Sequence, residues 1–156
     1  MKHTILMLSM IGAASGAFAA ETKPKDVSFD NGAVEQSLTG QPGDPERGRA
    51  LVGDKSLGNC VACHANSEMS DIAWHGEIGP PLDGAGERWT EAQLRGMIVN
   101  AKQMFPGTMM PAFYKVDGFV RPGDAYTGEA APEDLDPLLT AQQIEDVVAY
   151  LSTLEY

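Results

Sequence analysis

Three observations predict an all-α fold for this chain of 156 residues. Apolar residues recur at helical spacing in three separate segments, each opened by a capping residue. No segment alternates apolar and polar residues in the manner of a half-buried strand. Between the first two helical segments stands Cys60-Val61-Ala62-Cys63-His64. Cys-x-x-Cys-His is the attachment sequence of a c-type haem, a rigid apolar body around which helices can wrap.

The N-terminus reads as a secretory leader. Lys2 is followed by an apolar stretch from Ile5 to Phe18, and Ala17-Phe18-Ala19 supplies a small-residue cleavage site. Cutting is expected after Ala19, which makes residues 1–19 a signal peptide and the mature protein periplasmic. The stretch falls short of the about 18 apolar residues a membrane span needs. No second long apolar run follows, so a soluble protein with no membrane partner is expected. Residues 20–43 are polar with little periodicity and read as a flexible N-terminal arm. Residues 44–156 have the length of one domain.

The first helix is expected from Asp44, an N-cap, with Pro45 at the first helical position. Ala50, Leu51 and Val52 supply its apolar side, and Gly53 with Gly58-Asn59 ends it before the haem motif. A Gly/Pro segment follows, Gly79-Pro80-Pro81-Leu82-Asp83-Gly84. The second helix is expected from Thr90, with Glu91 and Gln93 in its first turn and Leu94, Met97, Ile98 and Ala101 at helical spacing. It stops before Phe105-Pro106-Gly107. From Tyr114 to Pro137 runs a loop rich in Gly, Pro and acids, long enough to be functional or disordered. Phe119 and Tyr126 in it either anchor a partner or pin the loop to the core. The last helix has Thr140 as cap and Gln143 three residues on, a capping box. Ile144, Val147, Val148, Leu151 and Leu154 form its buried stripe.

In the motif, the Cys60 and Cys63 sulfurs can each add to one haem vinyl group, and His64 reaches the iron from one face. Such an iron moves single electrons. A zinc site would need four ligands, and beyond Cys60, Cys63 and His64 only His75 remains outside the leader. A thioredoxin-like site would want a strand before the motif and a helix after it, which the flanks lack. One covalent haem c is therefore the expected cofactor, and with both cysteines on it no disulfide remains. The sixth iron ligand is a methionine or His75. Met97 lies on a helix stripe, Met69 on the histidine side, and Met104 near a helix end. Met109-Met110-Pro111 lies in a loop where irregular backbone can bring a thioether to the iron.

The formal charge is −11 and becomes −12 once the leader, with Lys2, is removed. An acidic surface argues against nucleic acid and anionic membranes, and favours partners with a basic face.

The order of the haem motif, Gly79-Pro80-Pro81-Leu82-Asp83-Gly84, Met110-Pro111-Ala112-Phe113 and a C-terminal amphipathic helix resembles class I cytochromes c. That resemblance implies Met110 and His64 as axial ligands. It also implies that the Pro80 carbonyl accepts a hydrogen bond from His64, and that Gly48 and Tyr150 sit where the first and last helices cross. A closer resemblance, to the SoxX family, rests on Lys55–Ala65, Ile78-Gly79-Pro80, Arg95–Asn100, Phe105–Tyr114 and Gln143–Leu151. It implies the monohaem, non-catalytic subunit of SoxAX, an L-cysteine S-thiosulfotransferase of sulfur oxidation that joins thiosulfate to a cysteine of the SoxY-SoxZ carrier. SoxA is then the heterodimer partner, and a small c-type cytochrome takes the electrons. Trp89, Phe113 and Tyr114 are expected near the haem, where they exclude water; Trp89 alternatively bonds a propionate or fills core.

Overall fold

The computed structural model describes residues 20–120, 122 and 128–156; the expected leader and Tyr126 lie outside the described residues. Four α-helices are found among them: α1 (Pro45–Gly53), α2 (Ala85–Arg88), α3 (Glu91–Asn100) and α4 (Ala141–Leu151). No strand occurs among the described residues; bridge pairing is confined to Asp30 with Ala33 and to Ala130.

Local chemistry starts each long helix where the sequence expects it. An Asp44 carboxylate oxygen accepts the amides of Glu46 and Arg47 at 2.9 and 3.1 Å. Thr90–Gln93 and Thr140–Gln143 both close as reciprocal capping boxes. In α1 the buried face is Gly48, Leu51 and Val52, three and four residues apart. Ala50, expected with them, lies off that face and is exposed. In α4 the whole expected stripe is buried; Leu154 lies beyond the last turn, where its amide bonds the Leu151 carbonyl. The short α2 is an addition directly after the Gly/Pro segment. Its N-cap, Gly84, has φ +69° and carries the Tyr156 ring so closely that a Cβ would lie 2.2 Å from Cε2.

α1 crosses α4 at Gly48. A Cβ there would come within 2.0 Å of the Asp146 carbonyl oxygen and 2.8 Å of the Tyr150 Cβ. Glycine lets the two backbones meet, and the Tyr150 hydroxyl then accepts the buried Asn66 amide at 2.9 Å. That bond ties the crossing to the segment just after the haem motif.

Residues 20–43, expected as a flexible arm, lie against α3 and α4 instead. Val34 and Leu38 are buried in the core. The Val34 amide donates to the Ala92 carbonyl at 2.9 Å, and the Leu38 amide to Glu145 Oε1 at 2.7 Å. Arg95, buried, bonds both Glu145 oxygens and the Val34 carbonyl. The buried ion pair is fully hydrogen-bonded, the condition under which charge is tolerated in a core.

Asp146 locks the start of α1 to α4. Its carboxylate accepts the Asp44 amide, Arg47 Nε and Nη2, and Gln142 Nε2, all within 2.9–3.1 Å. Burial opposes its charge, but these bonds outweigh burial and hold the carboxyl below the usual range. A depressed folded value means this stability is complete above the unfolded value of about 3.9 and is lost as pH falls through the folded one. Asp146→Asn is expected to lower stability at neutral pH and to flatten its fall on acidification, read by urea titrations of haem-loaded protein across that range. An unchanged acid limb would show that Asp146 is not a groove of acid lability.

Candidate haem site

The haem motif folds as a tight 3-10 turn over Cys60–Ala62, entered through Asn59 at φ +48°. The Cys63 and His64 amides both return to the Cys60 carbonyl, at 3.1 and 3.0 Å. Cys60 and His64 thereby face one cleft of about 580 Å³, counted out to its open mouth. Leu82, Leu94, Ile98 and Leu151 give it an apolar wall, and Met110 closes on it from the loop after α3. Cys63 is half-buried at the end of the turn. Burial pushes the Cys60 thiol up to about 11, the reverse of a reactive thiolate. The four residues of the zinc alternative do not form a metal-holding cluster among the described residues.

His64 is fixed by the Gly/Pro segment. Its Nδ1 lies 2.6 Å from the Pro80 carbonyl oxygen. A carbonyl only accepts, so Nδ1 carries the proton and Nε2 keeps the free lone pair a metal needs. Gly79 lies flat on the ring: a Cβ would sit 2.2 Å from His64 Cε1. An apolar cleft, an oriented imidazole, a thioether and the paired cysteines of the motif together fit a c-type haem. Gly79→Ala is expected to tilt the ring and weaken axial ligation; a mixed-spin optical spectrum of the loaded protein checks this, and an unchanged low-spin spectrum would refute it.

Of the candidate sixth ligands, two line the cleft, Met110 and Met97. Met110 lines the cleft, with its amide on Thr108 Oγ1 at 3.2 Å and its carbonyl accepting Lys102 Nζ at 2.6 Å. Met109 is 76% exposed. Met69 is buried in the core and does not line the cleft. Met104 packs under Gly32. Met97 shares core and cleft. His75 is also away from the cleft lining, with Nδ1 accepting the Asn66 amide at 3.2 Å.

Trp89 stands in the cleft wall, edge-on to Phe105 with centroids 6.1 Å apart. Phe113, expected beside the haem, is buried in the core and absent from the cleft lining. Its amide bonds the Ile98 carbonyl and its carbonyl accepts the Leu139 amide, so the backbone is fixed between α3 and the approach to α4. Tyr114 likewise turns away; its hydroxyl donates to the Thr22 carbonyl at 2.8 Å.

Sequence reasoning missed Arg88. It lines the cleft and braces the Gly/Pro loop, donating to the Pro81 carbonyl at 2.9 Å, to the Asp83 carbonyl, and to the Tyr156 hydroxyl. Tyr156 reaches it by tertiary approach, and the nearby Pro81 and Asp83 carbonyls carry no side-chain pattern that marks them.

A family model described as cytochrome c matches residues 45–155. No curated protein matches the chain. Among solved structures it is similar to a chain of the crystal structure of SoxXA from P. pantotrophus. That match has 62% identity and a TM-score of 0.83, and it covers 86% of this chain and 98% of the other. A family model over most of the length, and a relative with more than half its residues identical, lead to one conclusion: the chain belongs to the cytochrome c family, as a SoxX-like cytochrome with covalently bound haem c.

Proposed function

We propose that the chain is the electron-transfer haem subunit of a SoxAX complex, exported to the periplasm and paired there with SoxA. The observation that carries this reading is the single cleft onto which Cys60, His64 and Met110 face, in a chain so similar to one of SoxXA. Cys60 and Cys63 would hold the haem through thioethers, and His64 Nε2 and the Met110 sulfur would ligate its iron. When bound, the haem supplies a reversible one-electron iron couple. The protein sets how easily that electron comes and goes. The Pro80 carbonyl orients the imidazole and makes it more basic. The neutral Met110 thioether favours reduced iron and so raises the potential. Leu82, Trp89, Leu94 and Ile98 keep water from the cleft, in the same direction.

The relay role also follows from what the chain offers chemically. Its only two cysteines belong to the haem motif, so it supplies no thiol for sulfur transfer. The family resemblance implies that SoxAX forms the bond between thiosulfate and a SoxY cysteine of the SoxY-SoxZ carrier, with loss of the thiol proton and two electrons. In this reading the chain takes an electron from the SoxA haem and passes it to a small c-type cytochrome.

The test is isolation of the tagged, haem-loaded protein from periplasm of cells growing on thiosulfate, with the bound chains identified by mass. A stoichiometric SoxA-type cytochrome is the expected result. Recovery of the chain alone, low-spin and loaded, would replace this reading with that of a free-standing electron shuttle.

A further inference from the structure

We propose that the loop over residues 70–79 is the docking surface for the partner haem subunit, with the Trp74 indole as its anchor; this rests on the subunit reading above. Trp74 is 94% exposed, more than any other aromatic side chain among the described residues. Ile78, four residues on, is 67% exposed. A full indole in water is an unusual expense for a surface without a partner.

The exposure is built into a tied backbone. Trp74 has φ +68°, in the left-handed region that bulky residues rarely adopt. The residues after it are held firmly. His75 Nδ1 accepts the Asn66 amide at 3.2 Å, the Gly76 amide donates to the Val61 carbonyl at 2.8 Å, and the Gly79 amide to the Cys63 carbonyl at 2.7 Å. These bonds strap the loop directly onto the haem-attachment turn. Gly76 lies so close that a Cβ would be 2.0 Å from the Ala62 carbonyl oxygen. The exposed indole therefore stands on a loop tied to the turn that would hold the cofactor, a short way from where an electron would enter or leave.

Charge selects the occupant. Glu68, Asp71 and Glu77 are exposed around the loop, and of these Asp71 pairs with Arg49. The chain as a whole carries −11. A second copy would bring the same acidic rim, and nucleic acid or an anionic bilayer would be repelled. A partner that fits this loop is one that offers an apolar pocket for the indole inside a basic rim. A nearly bare aromatic anchor suits a lasting partner, which keeps it covered, better than a transient shuttle.

The experiment uses purified, haem-loaded full-length chain and its SoxA-type subunit. Hydroxyl-radical oxidation of Trp74, read by mass spectrometry, is compared in the free chain and the complex. Dissociation constants are measured for Trp74→Ala and Ile78→Ser, both checked for an unchanged haem spectrum. Protection of Trp74 in the complex, and an increase in Kd of about thirtyfold for Trp74→Ala, are expected. A complex in which Trp74 oxidises at the free rate, or a Trp74→Ala variant that binds like the parent, overturns the proposal and leaves the subunit reading standing. Protection that appears only with more of the chain itself, or only with a shuttle cytochrome, assigns the loop to another occupant and overturns it too. If the parent chain binds no SoxA-type subunit, the subunit reading fails, and the docking surface with it.

Discussion

Met110→Ala lowers the reduction potential of the loaded protein and opens its iron to small ligands, while Met109→Ala does neither. The two methionines are adjacent in sequence and opposite in placement. Met110 lines the cleft, and its carbonyl and amide are both held, by Lys102 and Thr108. Met109 is 76% exposed. In the proposed ligation, removing the thioether takes away the ligand that favours reduced iron and leaves a position for water or added carbon monoxide. Each tenfold loss of that preference corresponds to about 59 mV for a one-electron couple, and a shift of at least this size is expected. Redox titration and the near-infrared charge-transfer band of methionine-bound ferric haem read the result directly. Loss of that band in Met109→Ala, with Met110→Ala unaffected, would transfer the ligand role to Met109.

This pair also shows what the sequence can carry. The loop bounded by Pro and Gly marks the region of the ligand, but residue spacing alone leaves Met109 and Met110 equal; the family pattern and then the burial separate them. The helix starts were readable because caps act within one turn: Asp44, Thr90 and Thr140 each bond an amide two or three residues away. Residues 20–43 were misread because their anchors are remote. Leu38 is held by Glu145, 107 positions on, and Val34 by Ala92 and Arg95. No sequence pattern marks Arg95 and Glu145 as a pair, yet each satisfies the other in the core. Phe113 was placed at the haem because it follows the methionine motif closely. The Ile98 and Leu139 hydrogen bonds fix its backbone, and its side chain is buried in the core instead of lining the cleft. Trp74 carries no sequence signal for its placement; its backbone is left-handed and its side chain stands in water.

Gly48→Val destabilises the loaded protein by several kcal/mol, and Gly48→Ala by about 1–3 kcal/mol net. In an open helix the sign would be reversed, because alanine is about 1 kcal/mol better than glycine there. Here the added Cβ meets the Asp146 carbonyl oxygen at 2.0 Å and the Tyr150 Cβ at 2.8 Å, distances no real contact sustains. Neither neighbour can yield cheaply. Asp146 is bonded to Asp44 and Arg47 at the start of α1 itself, and Tyr150 to buried Asn66 after the haem motif. The helices must therefore part, which loosens Leu51 and Val52 in the shared core, and overpacking of this kind outweighs the propensity gain. Valine adds two methyl groups to the same clash and a β-branched penalty in the helix. Ala50→Gly, on the exposed side of the same helix, supplies the scale, with an expected loss of about 1 kcal/mol from propensity alone. Thermal unfolding of the loaded variants distinguishes the cases. A Gly48→Ala protein that melts above the parent would mean that α1 and α4 do not meet at this residue.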